Sequence, residues 1–250
     1  MSLEDVAKNF SSLNNGFVTV TGYYVYKTIL PVLIGKQNVL EVGCADGSIT
    51  RHLVNHDINL TCVDGSKTLL NNLQCDKKIT KIYSLLEKWQ TDKKFDFILC
   101  SLILEHVEDV NEFMKKLKKL CHTDTVIFFA VPNAFSFHRQ AAHSTQMINS
   151  IDEFSELDYQ VEHKRYYNPH SFREHVSAHF NILNFGGIMF KPLTDNDMVK
   201  CNFSVPKKDL HEMYFNIGQT HPTECSLITA TCMLKEYKNV SSLSTLHNRR

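Results

Sequence analysis

Val39-Leu40-Glu41-Val42-Gly43-Cys44-Ala45-Asp46-Gly47-Ser48 is the stretch on which the fold of this chain turns. A β-branched and apolar run closes on an acid, a loop of glycine and alanine follows, and Ser48-Ile49-Thr50-Arg51-His52-Leu53-Val54 opens a helix. Such a strand–loop–helix element aims backbone N–H groups and a helix N-terminus at a ligand. Gly43 and Gly47 permit positive φ, or close approach where a Cβ would clash. Ala45 lies between them and suits the loop only if its own φ is negative. Asp64 closes the next apolar run, Leu60-Thr61-Cys62-Val63. An acid about 20 residues past the first, at the tip of a second strand, is placed to accept hydrogen bonds from a ribose diol.

The spacing argues against a dinucleotide. That fingerprint is G-x-G-x-x-G, and counting from Gly43 its second and third glycines are replaced by Ala45 and Ser48. The pattern present is acid-x-Gly-x-Gly-x-Gly with one substitution: Glu41, Gly43, Ala45 and Gly47. In this the chain resembles the class I S-adenosylmethionine-dependent methyltransferases, small-molecule branch. Phe95-Asp96-Phe97-Ile98-Leu99-Cys100-Ser101-Leu102-Ile103-Leu104-Glu105-His106-Val107 is similar to that family's fourth strand and the turn after it, with "FD" and "LEHV". Val126-Ile127-Phe128-Phe129-Ala130-Val131-Pro132-Asn133 is similar to its fifth strand with a "VPN" end. The likeness runs from about Tyr23 to Tyr237, and it is much more specific for fold and cofactor than for the methyl acceptor.

The resemblance implies S-adenosylmethionine as cofactor. Glu41 would face its methionine end, with Gly43, Cys44, Ala45 and Gly47 forming the loop against it and Ser101 at the end of the fourth strand. Asp64 and Gly65 would hold the ribose. Leu85 and Leu86 would pack on the adenine faces while Glu87 reads its edge. The implied fold is α/β: a Rossmann-like, seven-stranded, mostly parallel sheet with an antiparallel last strand and helices on both faces. Apolar runs alternating with helical patterns agree with it. Strands are expected near 38–42, 59–63, 80–84, 95–100 and 125–131, with 181–190 and 224–236 as an antiparallel edge hairpin. Helices are expected near 3–13, 22–34, 48–56, 66–74, 109–121, 134–148, 169–179 and 206–216. We expect one methyltransferase domain over 1–238, with N-terminal helices in 1–35, a lid over the acceptor in 134–170, and a disordered tail, 239–250.

Composition narrows the partners. Lys plus Arg and Asp plus Glu number 27 each, so the basic footprint of a nucleic-acid enzyme is missing. The subclass that methylates flipped bases carries Asn/Asp-Pro-Pro-Tyr/Phe after the fourth strand, where this chain has Ser101-Leu102-Ile103-Leu104. The eight cysteines contain no C-x-x-C pair, and neither a signal peptide nor a membrane-length apolar run is visible. These features favour a reduced, cytoplasmic protein acting on a small molecule, without nucleic acid or membrane. The oligomeric state is not legible.

Methyl transfer from a sulfonium is an in-line displacement in which positioning does most of the work. A hydroxyl acceptor also needs a base or a metal, whereas an amine needs only to be neutral. His106, after the fourth strand, is the leading candidate base, its alternative being a helix cap. His138 and Arg139 follow the fifth strand and Asn133, and would line the acceptor pocket. His163-Lys164-Arg165-Tyr166-Tyr167 resembles the family's "H-x-R-x-[YF]" segment. There Arg165 would grip a carboxylate or phosphate, or pair with an acid in the lid, and Tyr166 would cover the pocket. Tyr23 and Tyr24 would form the opposite wall.

Metal is not expected. His175 and His179 have the i, i+4 spacing of a zinc pair but no third ligand at a telling distance. The magnesium-dependent enzymes of this fold use an Asp after the fourth strand and Asp-Asn after the fifth, where this chain has Ser101 and Pro132-Asn133. The segment running to Lys191-Pro192-Leu193 further resembles a bacterial subgroup with "VPN…HR…H-x-R-x-Y…KPL" that includes surface-glycan and secondary-metabolite tailoring enzymes. The expected function is therefore methyl transfer to a small polar acceptor, hydroxyl before amine, with a phosphate- or nucleotide-bearing acceptor in view. A non-catalytic, cofactor-binding protein is the remaining alternative.

Overall fold

The computed structural model describes residues 3–12, 16–73, 79–200 and 207–235. The tail expected to be disordered lies outside them. Seven strands among these residues form one sheet in the order β3-β2-β1-β4-β5-β7-β6. They are β1 (Asn38–Val42), β2 (Asn59–Asp64), β3 (Thr80–Tyr83), β4 (Phe95–Ser101), β5 (Cys121–Pro132), β6 (Phe180–Ile188) and β7 (Leu227–Leu234). β1 to β5 are mutually parallel. β7 runs antiparallel to both β5 and β6, so it is the reversed strand, inserted between them. This is the expected class with the expected edge hairpin.

The helices are α1 (Leu3–Ser12), α2 (Gly16–Leu33), α3 (Thr50–Leu53), α4 (Lys67–Asn72), α5 (Val110–Lys119), α6 (Phe137–Ser144), α7 (Glu156–Gln160), α8 (Pro169–His179), α9 (Asp195–Lys200) and α10 (Lys207–Thr220). Several boundaries follow from local chemistry. The Asp109 carboxylate accepts the Glu112 N–H at 3.0 Å and caps α5. Asn168 caps α8, with Pro169 at the first helical position. The expected 48–56 helix shrinks to one turn, and 134–148 starts only at Phe137, after Asn133 has turned the chain. β5 begins earlier than expected because Thr125 is buried at an irregularity and donates its hydroxyl to the Phe95 carbonyl at 2.6 Å.

Central strands alternate between two apolar layers, as strands covered on both faces must. Ile98, Cys100, Ile127 and Phe129 join Phe113, Met114 and Leu117 of α5 and Phe172 and Val176 of α8 on one side. Phe97, Leu99, Phe128 and Ala130 join Val25, Ile29 and Leu33 of α2 and Tyr214 and Phe215 of α10 on the other. Cys44, Cys62, Cys100, Cys121, Cys225 and Cys232 are buried free thiols. Among the described residues no helix is long and apolar enough to cross a membrane. Strand order reverses on either side of β1 and β4, so a crevice opens beyond their carboxyl ends.

Candidate functional site

The loop after β1 reaches the crevice through three left-handed residues at alternate positions. Gly43 has φ 72°, Ala45 φ 44° and Gly47 φ 76°. A Cβ on Gly43 would stand 2.8 Å from Ile103 Cδ1, and one on Gly47 only 2.6 Å from Leu73 Cδ2. Ala45 therefore departs from the negative φ expected of it and carries the strain a glycine would avoid. It is fixed by Asp64, whose Oδ2 accepts the Ala45 N–H at 3.1 Å while Oδ1 accepts the Ser66 N–H at 2.8 Å. Burial pushes the Asp64 carboxyl above its ordinary pKa, against those two donors.

Glu41 is buried at the end of β1. Its Oε2 accepts the Thr50 hydroxyl at 2.7 Å and the Cys62 thiol at 3.6 Å. Burial nonetheless pushes its pKa up to about 7, with Asp64 and Asp46 adding to the rise.

A cavity of about 1110 Å³ runs from this loop across the carboxyl ends of β1, β2, β4 and β5, room for a cofactor and a second molecule together. Glu41, Gly43, Cys44, Ala45, Asp64, Gly65, Leu85, Leu86, Glu87 and Ser101 all line it, whereas Gly47 shapes the turn behind. Leu86 is buried in the core and Leu85 is half-exposed, so the pair does not form two equal faces. The loop geometry, the acid at the tip of β2 and the volume fit S-adenosylmethionine. α1 adds a wall that the motifs did not reveal: Leu3, Val6 and Ala7 line the cavity. Glu4 accepts the Lys67 N–H at 2.7 Å and the Ser66 hydroxyl at 3.0 Å, tying α1 to the start of α4.

On the acceptor side, His106, His138 and His163 all line the cavity, with Asn133, Arg139 and Tyr166. Burial pushes the pKa of His106 and of His138 down to about 3, so both imidazoles are neutral at neutral pH. His163 differs: its Nδ1 hydrogen-bonds Asp158 Oδ1 at 2.6 Å. Asp158 also accepts the Tyr166 hydroxyl at 2.6 Å and the Ser155 N–H at 2.7 Å. These donors outweigh burial and hold its carboxyl well below the usual range. The His106 and His163 rings meet edge-on, 4.7 Å between centroids. Beside them both Glu105 oxygens are buried without a hydrogen-bond partner, and burial pushes that carboxyl up to about 7.

Several expected substrate contacts lie elsewhere. Arg165 spends its guanidinium on main-chain carbonyls of the β4–α5 loop, Leu104 at 2.7 Å, Glu108 at 3.2 Å and Val107, so it braces that loop and neither grips an anion nor pairs with a lid acid. Tyr24 is buried, stacks on Phe215 and donates to Glu212 at 3.2 Å, and Tyr23 packs edge-on against His52; neither lines the cavity. Arg139 holds the Ile151 and Glu153 carbonyls at 2.9 and 2.6 Å and lies over the Tyr166 ring. The Asn133 amide donates to the Thr223 and Cys225 carbonyls at 2.7 and 2.8 Å. His175 and His179 turn to Tyr167 and Asn111. Glu105, Asp158 and the buried Lys191 carry no signal in sequence beyond Glu105's place in "LEHV" and Lys191's in "KPL"; the fold brings them to the cavity.

A family model described as "Methyltransferase domain" matches residues 25–179. The chain belongs to that family, whose class I members take their methyl group from S-adenosylmethionine. The ubiquinone biosynthesis O-methyltransferase of Rickettsia bellii is 31% identical over 91 residues, 34% of this chain and 38% of that protein. The chain thus spans little more than a third of the length of the curated relatives it matches. Among solved structures, an S-adenosylmethionine-dependent methyltransferase from Mesorhizobium loti superposes with TM-score 0.56 at 16% identity, covering 84% of this chain and 95% of that one. The plantazolicin methyltransferase BpumL in complex with S-adenosylhomocysteine gives 0.56 at 13% identity, covering 92% and 89%.

Two measurements test the loop. Ala45→Gly should raise stability by up to about 1 kcal/mol, the relief of left-handed strain exceeding the extra unfolded freedom of glycine. Gly47→Ala should lower it by about 2 kcal/mol or more, since strain and displacement of Leu73 add. Urea unfolding with both shifts of one sign would refute the loop geometry. Glu41 supplies a pH test. Its folded pKa lies above the unfolded value of 4.5, so the native state holds the extra proton. Stability is then lost as pH rises from about 4.5 to 7, by up to about 3 kcal/mol. Glu41→Gln should be near neutral at pH 5 and raise Tm relative to the native chain at pH 8. A difference that does not change with pH would contradict the buried acid.

Proposed function

We propose that this chain transfers the methyl group of S-adenosylmethionine to a hydroxyl oxygen of a small polar acceptor. What carries the proposal is the cluster beyond β4, where an unpartnered buried carboxyl and two imidazoles meet on the cavity wall. An amine acceptor would need no such group. In the step, the acceptor oxygen forms a bond to the methyl carbon, the carbon–sulfur bond breaks with its pair on sulfur, and the hydroxyl proton passes to the cluster. His163 is the better oriented of the two imidazoles, because Asp158 fixes its ring. The name of the curated relatives favours an oxygen acceptor as well.

Lys191 lines the same cavity near His138 and favours an acceptor bearing an anionic group, such as a phosphate or nucleotide, at that end. Arg165 no longer serves that purpose. Surface-glycan or secondary-metabolite tailoring remains the setting in which such acceptors occur.

The test is an acceptor panel of phosphorylated and plain sugars, phenols and amines, with S-adenosylhomocysteine release as readout. Turnover is expected on hydroxyl acceptors, and turnover confined to amines would refute the assignment. His163→Gln should lower kcat on a hydroxyl acceptor by roughly 10²–10⁴-fold with cofactor affinity unchanged. Asp64→Ala should weaken cofactor binding at least tenfold, because hydrogen bonds to a charged acceptor contribute about 1.5–3 kcal/mol each.

A further inference from the structure

Three metal-competent side chains reach one point of the cavity wall from two distant segments. Glu105 and His106 follow β4, and His163 comes from the lid. One donor atom of each lies within 4.8 Å of the other two. His163 Nδ1 is tied to Asp158 at 2.6 Å, and the lid carbonyls of Val161 and Glu162 hold the His106 ring. Metal-bound histidines are oriented in this way, by a carboxylate or carbonyl on the nitrogen away from the ion.

Glu105 is the member that protein contacts leave unexplained. Both its oxygens are buried and neither has a hydrogen-bond partner. As a carboxylate it would be an unpaired buried charge, and as a neutral acid it would still have an O–H without an acceptor. Arg165, whose positive charge acts on Glu105 through space, is committed to main-chain carbonyls. The lid is clamped directly over this point, since the Lys164 N–H donates to the Glu105 carbonyl at 2.8 Å.

We propose that Glu105, His106 and His163 form a binding site for one divalent transition-metal cation, of the zinc or manganese kind, on the acceptor side of the cavity. Two imidazoles and one carboxylate suit such borderline ions, whereas magnesium prefers oxygen ligands throughout. Three protein ligands leave coordination positions open to the cavity. The 4.8 Å limit exceeds the roughly 3.3 Å separation of ligands around a tetrahedral ion with ~2 Å bonds. Any approach still needed is within reach of a rotation of the Glu105 side chain, whose oxygens have no hydrogen-bond partner. The site deepens the methyl-transfer assignment and rests on it for its purpose: a cation here would raise the acidity of the acceptor hydroxyl. It also reverses the expectation of a metal-free protein. That expectation looked for ligands at Ser101 and Pro132-Asn133; the ones found lie further along the β4 loop and in the lid.

The purified chain, stripped with chelator and exchanged into clean buffer, is titrated by calorimetry with Zn²⁺, Mn²⁺ and Mg²⁺ in the absence of cofactor and acceptor. One equivalent of Zn²⁺ or Mn²⁺ should bind, with Mg²⁺ at least tenfold weaker. Glu105→Gln and His163→Gln should each weaken binding at least tenfold, and Co²⁺ should give a visible absorption band that both variants lose. S-adenosylhomocysteine binding, unchanged in both variants, reports that they are folded. A native chain that binds no cation, or variants that bind as the native chain does, would overturn the site. Turnover on a hydroxyl acceptor that persists in EDTA with no cation bound would overturn the site and leave methyl transfer standing. Stoichiometric cation with no cofactor binding would do the reverse.

Discussion

The acceptor half of the cavity hangs on one buried carboxylate. Asp158 takes the His163 ring N–H, the Tyr166 hydroxyl and the Ser155 N–H within 2.6–2.7 Å. Removing a charged acceptor from such a network strands several buried donors at once, each costing about 1–3 kcal/mol. The network extends outward from it. Tyr166 carries Arg139, and Arg139 in turn holds the Ile151 and Glu153 carbonyls, so a segment without a sheet of its own acquires a fixed shape. Arg165 joins this lid to the β4–α5 loop through carbonyls of Leu104 and Glu108. Lid and β4 loop are thus one rigid wall, and it is this wall that brings His163 to Glu105 and His106.

The sheet supplies the opposite constraint. Central strands covered on both faces leave no freedom of register, because a slip of one residue would exchange Ile98 and Cys100 for Phe97 and Leu99 between two filled layers. The carboxyl ends of β1, β2 and β4 are therefore held fixed relative to one another. The left-handed loop of Gly43, Ala45 and Gly47 folds back against Ile103 and Leu73 on that base. Asp64 then does two jobs, ordering the loop through Ala45 N–H and the start of α4 through Ser66 N–H.

The loop end of the cavity was legible from sequence because its structure is local. A strand, a glycine-spaced turn and an acid at the tip of the next strand lie within about 25 residues of one another, and short-range steric rules suffice to read them. The strand order and the reversed β7 followed from the same alternation and from the family resemblance. The acceptor half was read less well because its residues meet only through long-range folding. Arg165 was open to an anion grip or a pairing with a lid acid, yet a guanidinium is equally satisfied by three carbonyls, and nothing nearby in sequence distinguishes these. Tyr23 and Tyr24 lie on a helix whose core-facing side was not fixed by its pattern. Asp158 lies in the segment expected as a lid, where nothing local marks it as buried.

Charge distribution joins the two halves. The cofactor end is acidic, with Glu41, Asp46 and Asp64 lining it, which suits a donor carrying a sulfonium and an ammonium. A cationic wall opposite would repel that donor across a low-dielectric gap. The fold limits this by burying His106 and His138 so thoroughly that their pKa falls to about 3. Both therefore stay uncharged, which leaves Arg139, Lys164 and Lys191 as basic side chains lining that end, Arg139 with donors on main-chain carbonyls. On that opposite wall the Glu105 carboxyl is buried without a hydrogen-bond partner, and burial pushes it up to about 7.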